Sequence, residues 1–314
     1  MVRFLFLVAM PEEGKHLEKV FDLTKDDDTA AGNPFIDLYS NTKFCCSGSK
    51  NDEEDKKTTK RQIFMVVPKR DKVHNCPSIS SESAAVCAFS ALNLLVPIFG
   101  AFDLVVSAGT CGGIQQPLDV FLDEEQGTST TTATTTTTTA MQQGDVFVAK
   151  QIRYLNRFIP FDEYKQYLHG SGYKLVDPKR VKTAILADKR NKDTLRVFEG
   201  NVATSNTFVT DDSIPLQEKA HVCEMEAAAQ ARICCLMNDV PFTAVKIVSD
   251  VDLSIRRRDD EGGTGACVFG FFGPRSGKSG ERVQGARGKL EWYCGVRHWY
   301  VRRAGQTTKR HLHA

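Results

Sequence analysis

Apolar residues recur in runs along most of the chain, and the runs come in two lengths. The short ones read as buried strands, at 4–9, 35–39, 63–67, 104–107, 146–149, 202–204 and 242–248. The longer ones carry helical spacing or helix-favouring alanines, at 12–21, 81–96 and 226–238. Strands alternating with helices predict a single α/β domain. Its sheet is expected to be central and mostly parallel or mixed, with helices on both faces.

Three segments break the pattern. The run 50–61 is densely charged and reads as a solvated loop. Segment 121–143 holds a threonine run from Thr130 to Thr139, interrupted only by Ala133, and reads as a low-complexity insertion. From about Arg256 the apolar periodicity collapses into Gly- and Arg-rich sequence running to Ala314. The predicted organisation is an α/β domain over 1–255 and a basic, disordered tail over 256–314.

Composition narrows the function classes. The 314 residues can bury one large core or two small ones. A formal net charge of +2 gives no strong pull toward nucleic acid or a membrane surface, and neither is expected as a partner. The apolar start, residues 3–9, is short for a signal segment and runs into Pro11-Glu12-Glu13, so it reads as a first strand. No stretch reads as long enough to span a bilayer. The ten cysteines are scattered. Cys87, Cys234 and Cys235 fall inside apolar runs, the pairs Cys45-Cys46 and Cys234-Cys235 are vicinal, and no CxxC occurs. Reduced, buried thiols in a cytoplasmic protein are the expectation. His16, His74 and His221 lack metal-ligand spacing and are expected at the surface. Gly273-Pro274-Arg275-Ser276-Gly277-Lys278-Ser279 is close to a phosphate-binding loop, but Phe272 stands where the first glycine is required.

Three motifs carry possible chemistry. Val8-Ala9-Met10-Pro11-Glu12-Glu13 places two acids where a strand ends. Ser107-Ala108-Gly109-Thr110-Cys111-Gly112-Gly113 follows an apolar strand, and its glycines would let backbone amides approach a ligand. Cys223-Glu224-Met225-Glu226 opens a helix, and Ser249-Asp250 ends the next strand, where α/β sheets place ligand sites. Each has a plainer reading. Acids at a first turn complement the helix dipole, a strand-end Asp caps a helix, and a Gly-rich stretch is a tight turn. Acids without a metal-binding pattern suit acid–base work on a neutral substrate.

Taken in order, the motifs resemble the 5′-methylthioadenosine / S-adenosylhomocysteine nucleosidases of the purine nucleoside phosphorylase superfamily. The matching pieces are Ala9-Met10-x-x-Glu13, Ala108 to Gly113, Gly144-Asp145-Val146-Phe147-Val148, Phe208-Val209, Glu224 to Ala229 and Ser249-Asp250-Val251. They span the chain to about residue 252. Ala108-Gly109-Thr110-Cys111-Gly112-Gly113 and Arg157-Phe158-Ile159-Pro160 are nearer the plant-type members. Leu155-Asn156 departs from the family's usual His-Asp, close to the expected dimer contact.

The resemblance implies a three-layer α/β/α sandwich with a central mixed sheet, and hydrolysis of the N-glycosidic bond of 5′-methylthioadenosine in methionine and purine salvage. It implies no metal or organic cofactor, and a homodimer. Asp250 would serve N7 of adenine, with Ser249 holding it, and Glu13 would be the general base for water. Glu226 and Met225, with Glu224, would take the ribose. Thr110, Gly112 and Lys246 would lie beside the water and sugar. Phe208 would stack on the purine, the backbone of Val209 would read its edge, and Met10 and Ile79 would line the 5′-alkylthio pocket. The resemblance also leaves two alternatives. One is phosphorolysis, although Ser107 and Glu12-Glu13 stand where related phosphorylases carry arginines. The other is an inactive ligand-binding homologue, because residues 256–314 replace the family's C-terminal helix.

Overall fold

A computed structural model describes residues 1–41, 61–114, 141–155, 157, 161–164, 172–188, 191, 194–209 and 219–251. The tail, most of the threonine-rich insertion, the charged loop before Arg61, the loop-like 273–279 segment and most of the 156–160 stretch lie outside the described residues. Arg61 is not part of a loop: it opens a strand. Met141, within the span read as a low-complexity insertion, is buried in the main core.

The strands are β1 (Val2–Val8), β2 (Thr24–Lys25), β3 (Ile36–Ser40), β4 (Arg61–Pro68), β5 (Leu104–Gly113), β6 (Val146–Tyr154), β7 (Val197–Thr204), β8 (Val222–Glu224) and β9 (Phe242–Asp250). The helices are α1 (Pro11–Phe21), α2 (Ser81–Phe99), α3 (Pro178–Leu186) and α4 (Ala227–Leu236), with one 3₁₀ turn at Asp162–Tyr164. The sheet order is β2-β3-β4-β1-β5-β8-β7-β6-β9. It mixes parallel pairs (β1 with β4 and β5) and antiparallel ones (β3 with β4, β6 with β9).

Alternation along β1 shows the layering. Phe4, Phe6 and Val8 pack on one face with Leu17 of α1 and Val181 and Ile185 of α3. Leu5 and Leu7 point into the other core with the buried faces of α2 and α4. Helices therefore cover both faces, as expected from the strand–helix alternation. The sheet between them is not the open layer of a flat sandwich. β9 pairs with β6 and also, in parallel, with β5, closing β5, β8, β7, β6 and β9 into a barrel-like ring. Register shifts at Cys111/Gly112 in β5 and Ala149/Gln151 in β6 add the bending that lets β9 reach both partners.

Two expectations about single elements change. α2 has 19 residues, with a mean hydropathy of 1.6 over an 18-residue window, so by length and composition alone it does meet the pattern of a membrane span. In the fold its small-residue face (Ala84, Cys87, Ala88, Ala91) is buried against α4 and β4. His221 is 5 % exposed and not at the surface. Its Nδ1 accepts the Asn201 N–H at 3.0 Å, and its ring lies beside Phe147. The described cysteines are free thiols, and Cys87, Cys111, Cys223 and Cys234 are buried, whereas Cys76 and Cys235 are exposed, against the expectation of buried thiols.

Candidate active site

The site forms where β1 leaves the edge of β5. β1 pairs with β5 only as far as Ala108, and β8 joins that edge at Gly112. Between them the Thr110 N–H has no strand partner. Glu13, in the first turn of α1, fills the gap: its Oε1 accepts the Thr110 N–H at 2.8 Å and the Thr110 hydroxyl at 2.9 Å. Its Oε2 is buried and accepts no hydrogen bond from the described residues. Burial raises the Glu13 carboxyl above its ordinary value, against the opposing pull of Lys246 and the Thr110 hydrogen bonds. The result is a held carboxylate with one oxygen ready to accept a proton.

The glycine stretch is strand, so its plainer reading as a tight turn does not hold. β5 continues through Gly113, because β9 and then β8 supply its ladder. Gly112 registers with Cys223 of β8 and with Asp250 of β9. The bulged end of β5 thus brings the ends of its two neighbours to one place. Ser249 fixes the second acid: its hydroxyl lies 2.6 Å from Asp250 Oδ1 and 3.1 Å from the Cys111 carbonyl.

β8 delivers the third group of acids. α4 begins after Glu226, whose side chain makes no capping hydrogen bond. Glu224 caps the helix instead, its Oε2 accepting the Glu226 and Ala227 N–H groups at 3.0 and 2.8 Å. The Thr204 hydroxyl donates to Glu224 Oε1 and accepts the Ala228 N–H at 2.9 Å. Lys246 of β9 is 1 % exposed, with its Nζ 3.0 Å from Glu224 and 3.4 Å from Glu226. Burial alone would disfavour its ammonium, but Glu224, Glu226 and Glu13 outweigh that and shift it upward. Glu226 is raised by burial, with Glu224 and Glu13 adding to it against Lys246.

These groups surround an open cavity, about 650 Å³ of free space when the solvent at its mouth is included. Met10, Glu13, Ile79, Thr110 and Gly112 line one side. Phe208, Val209, Glu224, Met225, Glu226, Ser249 and Asp250 line the rest. Phe208 is 52 % exposed at the mouth. Its loop is pinned by Asn206, which accepts the Ser81 N–H at 3.0 Å and donates to Glu82 at 2.6 Å, tying it to the start of α2. Lys246 is the exception among the residues singled out from sequence. It lies beneath the wall, between two carboxylates, and not on it. Ala9, Cys111, Thr207 and Cys223 also line the cavity. Sequence reasoning gave them no role, nor Thr204, because small, uncharged side chains give little signal of their own. Among the described residues no three His, Cys, Asp or Glu side chains form a metal-binding group.

A family model for the phosphorylase superfamily matches residues 3–264. The chain belongs to the phosphorylase superfamily. Within the superfamily it is similar to the 5′-methylthioadenosine nucleosidase of Arabidopsis thaliana, 24 % identical over 249 residues, covering 79 % of this chain and 74 % of the relative. The solved apo structure of the Arabidopsis thaliana enzyme matches at a TM-score of 0.56 and 22 % identity, over 80 % of this chain and 82 % of that one. An MTA/SAH nucleosidase structure matches at 0.58 and 18 %, over 83 % and 89 %. The S-adenosylhomocysteine nucleosidase of Streptococcus pyogenes, in complex with 5-methylthiotubericidin, matches at 0.51 and 18 %, over 82 % and 89 %. At these identities the structural likeness establishes the shared phosphorylase-like fold.

Proposed function

We propose that this superfamily member hydrolyses the N-glycosidic bond of 5′-methylthioadenosine, adding water and releasing adenine and the 5-methylthio sugar. The observation that carries the reading is Glu13, held through one oxygen by Thr110 with the other buried and accepting nothing from the described residues. Such a carboxylate suits the orientation and deprotonation of a water molecule. Across the cavity, Asp250 would protonate or hydrogen-bond N7, making the base a better leaving group. Glu226 would accept from the ribose hydroxyls, and its charge would favour the positive character that develops on the sugar. Met225 would pack on the ribose, Phe208 would stack on the purine, and the Val209 backbone would read the adenine edge. Met10 and Ile79 would receive the 5′-alkylthio group. Room beside them decides whether S-adenosylhomocysteine is accepted.

Water is favoured over phosphate by the charges. Among the described residues lining the cavity none is basic. The nearby ammonium, Lys246, is already flanked by Glu224 and Glu226. A phosphate dianion would meet carboxylates there, where it requires cations and amides. Two further parts of the reading follow. The outward face of α2 exposes Val86 and Phe89, at 42 % and 49 %, and Ile98 is exposed at the helix end, which supports burial against a second copy in a homodimer. The free thiols support a cytoplasmic setting.

The test is adenine release from 5′-methylthioadenosine with and without phosphate. Release is expected without phosphate, and strict phosphate dependence would overturn hydrolysis. Asp250→Asn and Glu13→Gln should each lower kcat by at least about 10²-fold. Full activity in either variant would remove that residue from its role.

A further inference from the structure

Glu224, Met225 and Glu226 are adjacent in sequence, and both acids line the cavity. Only one of them has oxygens to offer a ligand. Glu224 Oε2 takes two main-chain N–H groups and lies 3.0 Å from the Lys246 ammonium, while Oε1 takes the Thr204 hydroxyl. Glu226 caps nothing, and its described polar partner is Lys246, at the longer distance of 3.4 Å. The amino end of α4 is therefore closed by Glu224, leaving the side chain of Glu226, at the N-cap position, uncommitted to the helix.

We propose that Glu224, fixed by Thr204, is a positioning residue for the reaction: it closes the amino end of α4 and holds Lys246 toward itself, so that the Glu226 carboxylate faces the cavity and takes the ribose hydroxyls. This rests on the ribose-binding reading of Glu226. Without the Glu224 charge, Lys246 would have Glu226 as its nearest counter-ion and would draw that carboxylate into a tight pair. A paired Glu226 would accept poorly from substrate. Thr204 matters because its hydroxyl sets the Glu224 carboxylate at the angle that serves the two amides and the lysine together.

Glu224→Gln keeps the shape and an acceptor for the amides, and removes the charge. It is expected to raise KM for the nucleoside about tenfold or more, the equivalent of one pKa unit of lost interaction. Binding of free adenine, which has no ribose, should stay within about twofold of wild type by calorimetry. The Glu226 carboxyl, followed by ¹³C NMR in the absence of substrate, should titrate at lower pH by roughly one unit, because a neighbouring negative charge is gone and Lys246 has closed on it. A lowered Tm with KM and the Glu226 titration unchanged would overturn the proposal and leave Glu224 a helix cap only. Should Glu224→Gln not fold, Thr204→Val serves with the same readouts. A rise in nucleoside KM of about threefold supports the proposal, and an unchanged KM in the folded variant overturns it. The titration needs no turnover. A wild-type protein that released no adenine would therefore sink the hydrolase reading and leave the electrostatic arrangement separately testable.

Discussion

At Gly109 the backbone of β5 passes so close to Glu13 that a Cβ would lie 3.0 Å from both carboxylate oxygens. The constraint there is a tight contact with the carboxylate, not the backbone conformation. Gly109→Ala is expected to displace the Glu13 carboxylate and lower kcat by roughly 10- to 100-fold, with an unchanged circular dichroism spectrum. Equal kcat would show that Glu13 tolerates the shift and is not the positioned base. Single residues differ sharply in how readable they were. Glu13, Glu226 and Asp250 stood out because acids at element ends have few purposes. Glu12 is exposed in the same first turn, so the plain dipole reading suffices for it. Thr204 and His221 gave no signal, since their importance comes from a hydroxyl and an imidazole nitrogen meeting groups about 20 residues away.

At the scale of elements, the contact between α2 and α4 governs how well the acids are placed. Ala84, Ala88 and Ala91 of α2 and Ala227, Ala228 and Ala231 of α4 are all buried to 2 % exposure or less. Small residues on both sides let the helices pack closely and set the height at which α4 presents Glu226. Ala88→Leu would overpack this contact at a cost of about 1–3 kcal/mol. The expected outcome is a lower Tm in thermal denaturation together with a raised nucleoside KM, since the α4 start would shift. A lowered Tm with normal KM would separate the helix contact from the site. The strongly apolar β1, β9 and α2 and the amphipathic α1 lie close to where their patterns put them. α3 was overlooked despite a start signal, Asp177 capping the Lys179 N–H with Pro178 at the first position. β8 has three residues, all buried, too few for any periodicity. β5 was under-read because glycines suggest a turn when the partner strands are unseen. Closure of the ring depends on bulges and on pairing between distant strands, which local pattern does not encode.

For the whole molecule, the buried titratable groups set a window of stability. Burial and then Lys150 press His221 down to about 4 from an ordinary 6.5. The unfolded chain therefore binds this proton first, and stability falls as pH drops from 6.5 toward 4, by on the order of 3 kcal/mol. Glu13 and Glu226 act in the opposite sense. Their raised carboxyls hold protons longer in the fold, so each costs stability as pH rises from the usual carboxylate range through its folded value. Between about 4.5 and 6.5 the two effects oppose each other, so the His221 share is read by difference. The Tm advantage of wild type over His221→Asn, which retains an acceptor for the Asn201 N–H, should shrink as pH falls from 6.5 toward 4. A Tm difference that stays constant over that range would remove His221 as its source.

Closing the ring also disposes of a hazard. In the sheet order one end strand, β9, is bonded back to β5, which leaves β2 as the terminal strand among the described residues. β2 is two residues long, both exposed, and Lys25 within it is drawn to Asp27 and Asp37 at 3.2 Å each. A foreign strand seeking to extend the sheet would find a template of one short, charged step, so stacking of molecules edge to edge into fibrils has no foothold at that margin.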